Sequence, residues 1–147
     1  MADDLKRQIT EFMDHCHTCT IATVSADGQP SIAAMYFRNS GVDIYMNTGS
    51  TTQKVKNITA NSKVAIVMHG DGPVPTSDQK IKGIQYVGIA GIVHKGDTSG
   101  VPMSVIARHN AFNSAKPGES VIIKVTPVHI FLIDYSKGFR HRELLEL

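Results

Sequence analysis

Leu5, Ile9, Phe12 and Met13 recur three and four residues apart, so the spacing predicts that an amphipathic helix opens the chain. Asp3 and Asp4 stand where the positive end of its dipole favours carboxylates. After His17 the period drops to two. β-Branched residues dominate 18–25, and Ala26-Asp27-Gly28-Gln29-Pro30 follows with a hairpin signal, so 18–25 and 30–38 read as paired antiparallel strands. Asn39-Ser40-Gly41 turns the chain into a third strand over 42–47. Val55 and Ile58 share one face of a short helix at about 52–60, and 63–68 is a fourth strand. Residues 70–80, punctuated by Gly70, Gly72, Pro73 and Pro75, read as a surface loop.

A long strand over 84–94 follows that loop, and Gly83, Gly88 and Gly91 imply bending or close backbone approach along it. Pro102 suits the first turn of a helix over 103–112, which Lys116-Pro117-Gly118 ends. Strands over 121–125 and 128–134, divided at Thr126-Pro127, complete the pattern. Six to seven mostly antiparallel strands, about three short helices and no βαβ alternation predict a mainly β fold, a small barrel or rolled sheet with peripheral helices.

Length narrows the picture further. At 147 residues the chain has room for one core, so 1–147 reads as a single domain and a separate cofactor domain beside a substrate domain is excluded. A formal charge of +2 is too small and too dispersed for a nucleic-acid binder. The opening residues lack an apolar signal core and no apolar run is long enough to span a bilayer, so a soluble, cytoplasmic protein is expected. Cys16 and Cys19 are too few for a disulfide framework, and without a second pair they supply at most half of a zinc site. The remaining histidines, including His69, His94, His109 and His129, form no Ser-His-Asp or His-Glu-x-x-His arrangement.

The chemically richest stretch is Asn47-Thr48-Gly49-Ser50-Thr51-Thr52-Gln53-Lys54, where a strand meets a helix. Hydroxyls, an ammonium and free backbone amides at a helix start are what a phosphate monoester needs. The order of residues is not that of a Walker A loop, and a Thr-capped helix with a solvated lysine accounts for the same pattern.

The order of elements from Thr18 to about Val93 resembles the pyridoxamine-phosphate-oxidase-like, flavin-binding split-barrel family. The residues that carry the resemblance are Asp27-Gly28-Gln29-Pro30, the strand Ser31-Ile-Ala-Ala-Met-Tyr-Phe-Arg38, Ile44-Tyr-Met-Asn-Thr48 before Thr52 and Lys54, Asn61-Ser62-Lys63-Val64, and the glycine-containing strand Gln85 to Val93. The resemblance implies an antiparallel split β-barrel that binds FMN at a homodimer interface and oxidises or reduces a small molecule. It would lay Ala33, Ala34, Met35, Tyr36 and Arg38 along the flavin ring and ribityl chain. Asn47 and Thr48 would meet ring or ribityl oxygens, Thr52 would add a hydrogen bond, and Lys54, helped by Arg38, would take the phosphate. Gln85, or its neighbour Tyr86, would be the family's flavin-contacting residue.

Departures from the family pattern keep other readings open. Gln53 and Ala33 stand where authentic oxidases carry arginines. The tail Phe139-Arg140-His141-Arg142-Glu143-Leu144 matches only part of the Arg-Leu-His-Asp-Arg segment that holds the oxidase substrate, and reads equally as a charged segment that covers a barrel edge or frays. A non-catalytic flavin-nucleotide-binding stress or sensor protein is one alternative. A deazaflavin- or haem-binding relative is another, with His69, His94, His109 and His129 as axial candidates.

Overall fold

A computed structural model of the chain describes residues 2–69, 82–94, 97–115, 120–138 and 140–147. The expected loop at 70–80, the helix stop at 116–118 and Phe139 of the tail lie outside the described residues. The elements are α1 (Ala2–Asp14), β1 (Thr18–Val24), β2 (Pro30–Tyr36), β3 (Arg38–Ser40), β4 (Asp43–Gly49), α2 (Gln53–Ala60), β5 (Lys63–His69), β6 (Lys82–Ile92), α3 (Met103–Ala115), β7 (Ser120–Asp134) and β8 (Arg142–Glu146), with a single 3-10 turn at Tyr135–Lys137.

All the strands belong to one antiparallel sheet in the order β2-β1-β5-β6-β7-β4-β3, with β8 added to β7. The two ends of that order, β2 and β3, are separated in sequence by Phe37 alone. One residue cannot span a flat sheet of this width, so the sheet must curl until its edges meet. This is the curled, mainly β half-barrel expected from the sequence, and the open seam between its edges is where the chemistry collects. The segment 30–38 is therefore two strands rather than one, because the chain crosses the seam at Phe37. That side chain is buried and its N–H donates to the His17 carbonyl at 3.1 Å.

Two further differences have clear causes. The expected strands 121–125 and 128–134 are one strand, β7, of 15 residues. Pro127 has no N–H to give, but it sits where the β6–β7 register slips between Val87 and Gly88, so the missing donor falls at a bulge. There the backbones approach closely: a Cβ on Gly88 would lie 2.7 Å from the Thr126 carbonyl oxygen and 2.8 Å from Val125 Cγ1. Gly83 is similarly close to Met68, at 2.7 Å, whereas Gly91 has open space around it. The tail, for its part, does not fray. Residues Arg142–Glu146 form β8, which pairs with the second half of β7 while β4 pairs with the first.

Alternation fills the inside of the curl. Ile21, Ile66, Tyr86, Ile130 and Leu132 point inward, and α1 closes one end with Leu5, Ile9 and Met13. Inward polar groups are paired: the Tyr86 hydroxyl donates towards the Val42 carbonyl at 2.7 Å and lies 3.2 Å from that of Val125. Asn57 donates to Thr23 Oγ1 at 3.0 Å and accepts from Gln53 at 2.8 Å. The outward face is also apolar. Ala22, Ala65, Val87 and His129 lie side by side across β1, β5, β6 and β7, and Thr20, Val67, Gln85 and Phe131 form the next row. Ile32, at 75% exposure, extends this face onto β2. Among the described residues, no helix is long and apolar enough to cross a membrane.

Candidate functional site

A cavity of about 850 Å³ opens in the seam. The end of β2 makes one wall, β4 the other, and α3 lies across them with Ser104, Val105 and Arg108. Six of the residues expected at the cofactor line it, namely Ala34, Met35, Tyr36, Arg38, Asn47 and Thr48. They meet because the crossing at Phe37 folds the β2 end over β4, which puts two stretches distant from each other on facing walls.

Thr52 and Lys54 join at the Thr48 end without lining the cavity themselves. Lys54 Nζ donates to Thr48 Oγ1 at 3.2 Å, and the Thr48 and Thr52 hydroxyl oxygens are 3.5 Å apart. Thr52 occupies the N-cap of α2, yet its hydroxyl donates to the Gly49 carbonyl at 3.0 Å instead of capping the helix. The hydroxyl thus does not cap the helix, and Lys54 is partly rather than fully exposed to water. Burial pushes the Lys54 ammonium below the usual lysine range, and among the described residues no carboxylate is paired with it. A cation partly withdrawn from water beside two hydroxyls is short of an anion.

Two further cations line the cavity. Arg38 Nη1 donates to the Phe37 carbonyl at 2.9 Å, and the Arg108 guanidinium lies 5.2 Å from the Tyr36 ring centre. Neither arginine is paired with a carboxylate among the described residues, and no Asp or Glu is among the lining residues. Two planar forks beside an aromatic face suit an oxyanion.

Asn47 lines the cavity as well. Its Nδ2 donates to the Val105 carbonyl of α3 at 3.0 Å, while its Oδ1 is buried without any hydrogen-bond partner. Leaving a buried acceptor unmade is costly, and this one has almost no surface open to the cavity.

Other expected residues are elsewhere. Ala33 alternates to the opposite face of β2 and packs against the core. Gln53 is tied to Asn57. Gln85 lies on the outward face of β6, and Tyr86 is buried inside the curl, so neither reaches the cavity of its own chain. The same holds for the described part of the tail, where Glu143 accepts from Lys137 at 3.3 Å and from His141 at 3.0 Å while Arg142 packs over Phe131.

Cys16 and Cys19 are both buried, and burial, with Cys16 adding to it, pushes the Cys19 thiol up to about 12. That is the reverse of a reactive thiol. No group of three metal-ligating side chains occurs among the described residues. None of His69, His94, His109 and His129 lines the main cavity; His94 borders a smaller one of about 330 Å³, and His109 is 3.2 Å from Ser120 Oγ. The histidine that does line it is His17. His17 and Arg108 were not legible as site residues, because only the tertiary fold carries the α1–β1 connection and the middle of α3 to the seam.

The sequence model of a family described as pyridoxamine 5'-phosphate oxidase matches residues 5–134. No curated protein matches the chain. Among solved structures, General Stress Protein 26 from Bacillus anthracis str. Sterne is 24% identical, with 97% of this chain and 98% of that chain covered and a TM-score of 0.67. The heme storage protein HutZ from Vibrio cholerae is 19% identical, with 87% and 94% covered and a TM-score of 0.67. A heme binding protein from Mycobacterium smegmatis is 11% identical at a TM-score of 0.73, and the match covers 99% of this chain but 58% of that one.

Proposed function

The chain belongs to the pyridoxamine 5'-phosphate oxidase family, and from that premise we propose that it is a cytoplasmic, homodimeric FMN-binding protein that carries out flavin-dependent oxidation or reduction of a small anionic molecule. The observation that carries the reading is the cationic seam cavity: Arg38 and Arg108 line it with no carboxylate among the lining residues, and a partly buried Lys54 donates to the Thr48 hydroxyl in its wall. These residues fit FMN. Lys54, Thr48 and Thr52 would hold its phosphate, and the backbone from Ala34 to Tyr36 would lie along the ring.

Bound flavin would supply the two-electron chemistry, which accounts for a site without a nucleophile–base pair. The chain's own part is to bind, orient and exclude water. Arg38 and Arg108 would hold an anionic substrate group next to the Tyr36 ring. Dimerisation is supported by the outward face, on which Ile32, Val67, Val87 and Ile89 form an exposed apolar surface that a second copy would cover. Gln85 stands on that same face, so it can meet a flavin only across such an interface.

A haem-binding reading is favoured by the two solved structures named for heme and by His17, which lines the cavity. The Lys54–Thr48–Thr52 cluster favours FMN, whose phosphate suits an ammonium flanked by hydroxyls. Visible absorption of the purified protein after addition of FMN, or of hemin, and gel filtration separates the two. Flavin bands that travel with the protein are expected. A Soret band with no retained flavin would overturn the FMN reading, and retained flavin that no reductant or substrate screen can bleach would leave a binder instead of an enzyme.

A further inference from the structure

Of the eight residues of α2, two are buried, Ile58 and Asn57, and the second of them is an amide. Asn57 is 1% exposed and uses both of its polar atoms. Its Nδ2 donates to Thr23 Oγ1 on β1 at 3.0 Å, and its Oδ1 accepts from Gln53 Nε2, one turn earlier on the same helix, at 2.8 Å. Thr23 is buried too, so the bond to β1 is shielded from water. An eight-residue helix is marginal by itself, and α2 has neither a side-chain cap at Thr52 nor a carboxylate in its first turn, so its placement depends on tertiary contacts. Ile58 and the partly buried Val55 hold it against the core, but apolar contacts carry no direction. The Thr23–Asn57–Gln53 chain does, and Gln53 immediately precedes Lys54, whose Nζ donates to Thr48 Oγ1 at 3.2 Å.

We propose that Thr23, Asn57 and Gln53 are positioning residues: their chain of hydrogen bonds from β1 fixes the rotation of α2 about its axis, and so aims Lys54 at Thr48 and at the phosphate the two would share. The inference rests on the cofactor reading above and adds to it three residues that do not line the cavity. The lysine stem is long and flexible, and its ammonium is strongly hydrated. With α2 held in one rotation, the first turn delivers that ammonium to the Thr48 hydroxyl, partly out of water. With α2 free to roll, the stem swings back to solvent, and an incoming phosphate meets a mobile charge instead of a fixed one, which lowers its affinity. The same chain explains what Gln53 does at the head of the helix. Its amide is engaged with Asn57, and Lys54 is the residue that reaches Thr48.

The test compares FMN with riboflavin, which is FMN without its phosphate, each titrated by flavin fluorescence. The ratio of the two affinities reads the phosphate contact, whereas a general loss of structure lowers both together. The native chain should prefer FMN. Thr23→Val keeps the shape of the side chain and removes the hydroxyl; Gln53→Ala releases the first turn at an exposed position and leaves the core untouched. In both, the preference for FMN should fall by about fivefold or more while riboflavin binding holds. Thr23→Ser, which retains the hydroxyl, should restore the native preference. In a Lys54→Met background neither Thr23→Val nor Gln53→Ala should alter the ratio further, because the network acts through Lys54. A preference unchanged in the folded variants, or one that still falls when Lys54 is gone, overturns the positioning role while leaving the cofactor reading intact. Absence of FMN binding by the native chain overturns both.

Discussion

The interior of the curl and the seam between its edges are built from the same strands and obey opposite rules. Inside, every large side chain is packed and the polar groups have partners: Tyr86 ends on two carbonyls and Asn57 on Thr23 and Gln53. In the seam, Asn47 on β4 keeps an acceptor with no donor, and Lys54, partly buried, donates to the Thr48 hydroxyl with no carboxylate paired to it among the described residues. A fold does not tolerate unsatisfied groups for its own stability when its core is otherwise complete. The difference is what the proposed ligand in the seam and the proposed second chain on the outward apolar face would account for.

The sharpest way to break the contrast is from inside. Gly88→Val should unfold the protein or cost more than about 3 kcal/mol, since the new Cβ would sit against the Thr126 carbonyl oxygen, at 2.7 Å, and that backbone has nowhere to go. Chemical denaturation checks it; a loss below about 1 kcal/mol would show that the bulge can open. A change on the outward side of the same strand should leave the monomer's stability alone. Val87→Lys, at a half-open position between Ala65 and His129, is expected to weaken self-association by about a hundredfold, because a lysine there must be desolvated on pairing. Sedimentation across a concentration series reads this, and an unchanged dimer would mean that another surface makes the contact.

These two substitutions also show what the sequence could and could not disclose. Val87 and Gly88 alternate as any strand does, and the periodicity alone located β6, β5, β1 and α1. It could not say which of Gln85 and Tyr86 faces inward, because a strand's face is decided by its neighbours' register. β7 was split in the reading of the sequence since Pro127 looks like a stop, and only the register slip at Gly88 explains how a proline passes through. β8 was hidden for another reason. Of Arg142–Glu146 only Leu145 is buried, so the strand exists through its pairing with β7 and has little apolar pattern of its own. The site divides along the same line: 34–38 and 47–54 are contiguous stretches with local chemistry, whereas His17 and Arg108 reach the cavity only through the tertiary fold.

Within the seam, Lys54→Ala should weaken FMN binding by about 1–3 kcal/mol, the range for a charge-assisted hydrogen bond to a phosphate. Stability without FMN should hold or rise, as the substitution removes a partly desolvated charge that has no carboxylate partner. An FMN titration followed by fluorescence, beside a thermal melt, measures both. Unchanged affinity in a folded variant would remove Lys54 from the phosphate site and shift that role to Arg38 or Arg108.

The smallest expected effect is a dependence on alkaline pH, and its sign separates a ligand site from an ordinary surface lysine. Burial holds the Lys54 ammonium in the folded chain below its ordinary value of 10.5. The unfolded chain therefore binds more protons between the lowered value and 10.5, and stability contributed by this residue rises with pH across that window. Below the window both states carry the proton, and the folded one bears the full cost of desolvating it. A surface lysine in an ion pair behaves in the opposite way, losing stability as its proton leaves. Melting temperatures of the native chain minus those of Lys54→Met should accordingly climb as the pH rises towards 10.5 without FMN. With FMN bound, the phosphate supplies the missing partner and the climb should flatten or reverse. A difference that falls with pH in the free protein would mean that Lys54 already has a counter-charge, and the seam would lose its claim to an anion at that end.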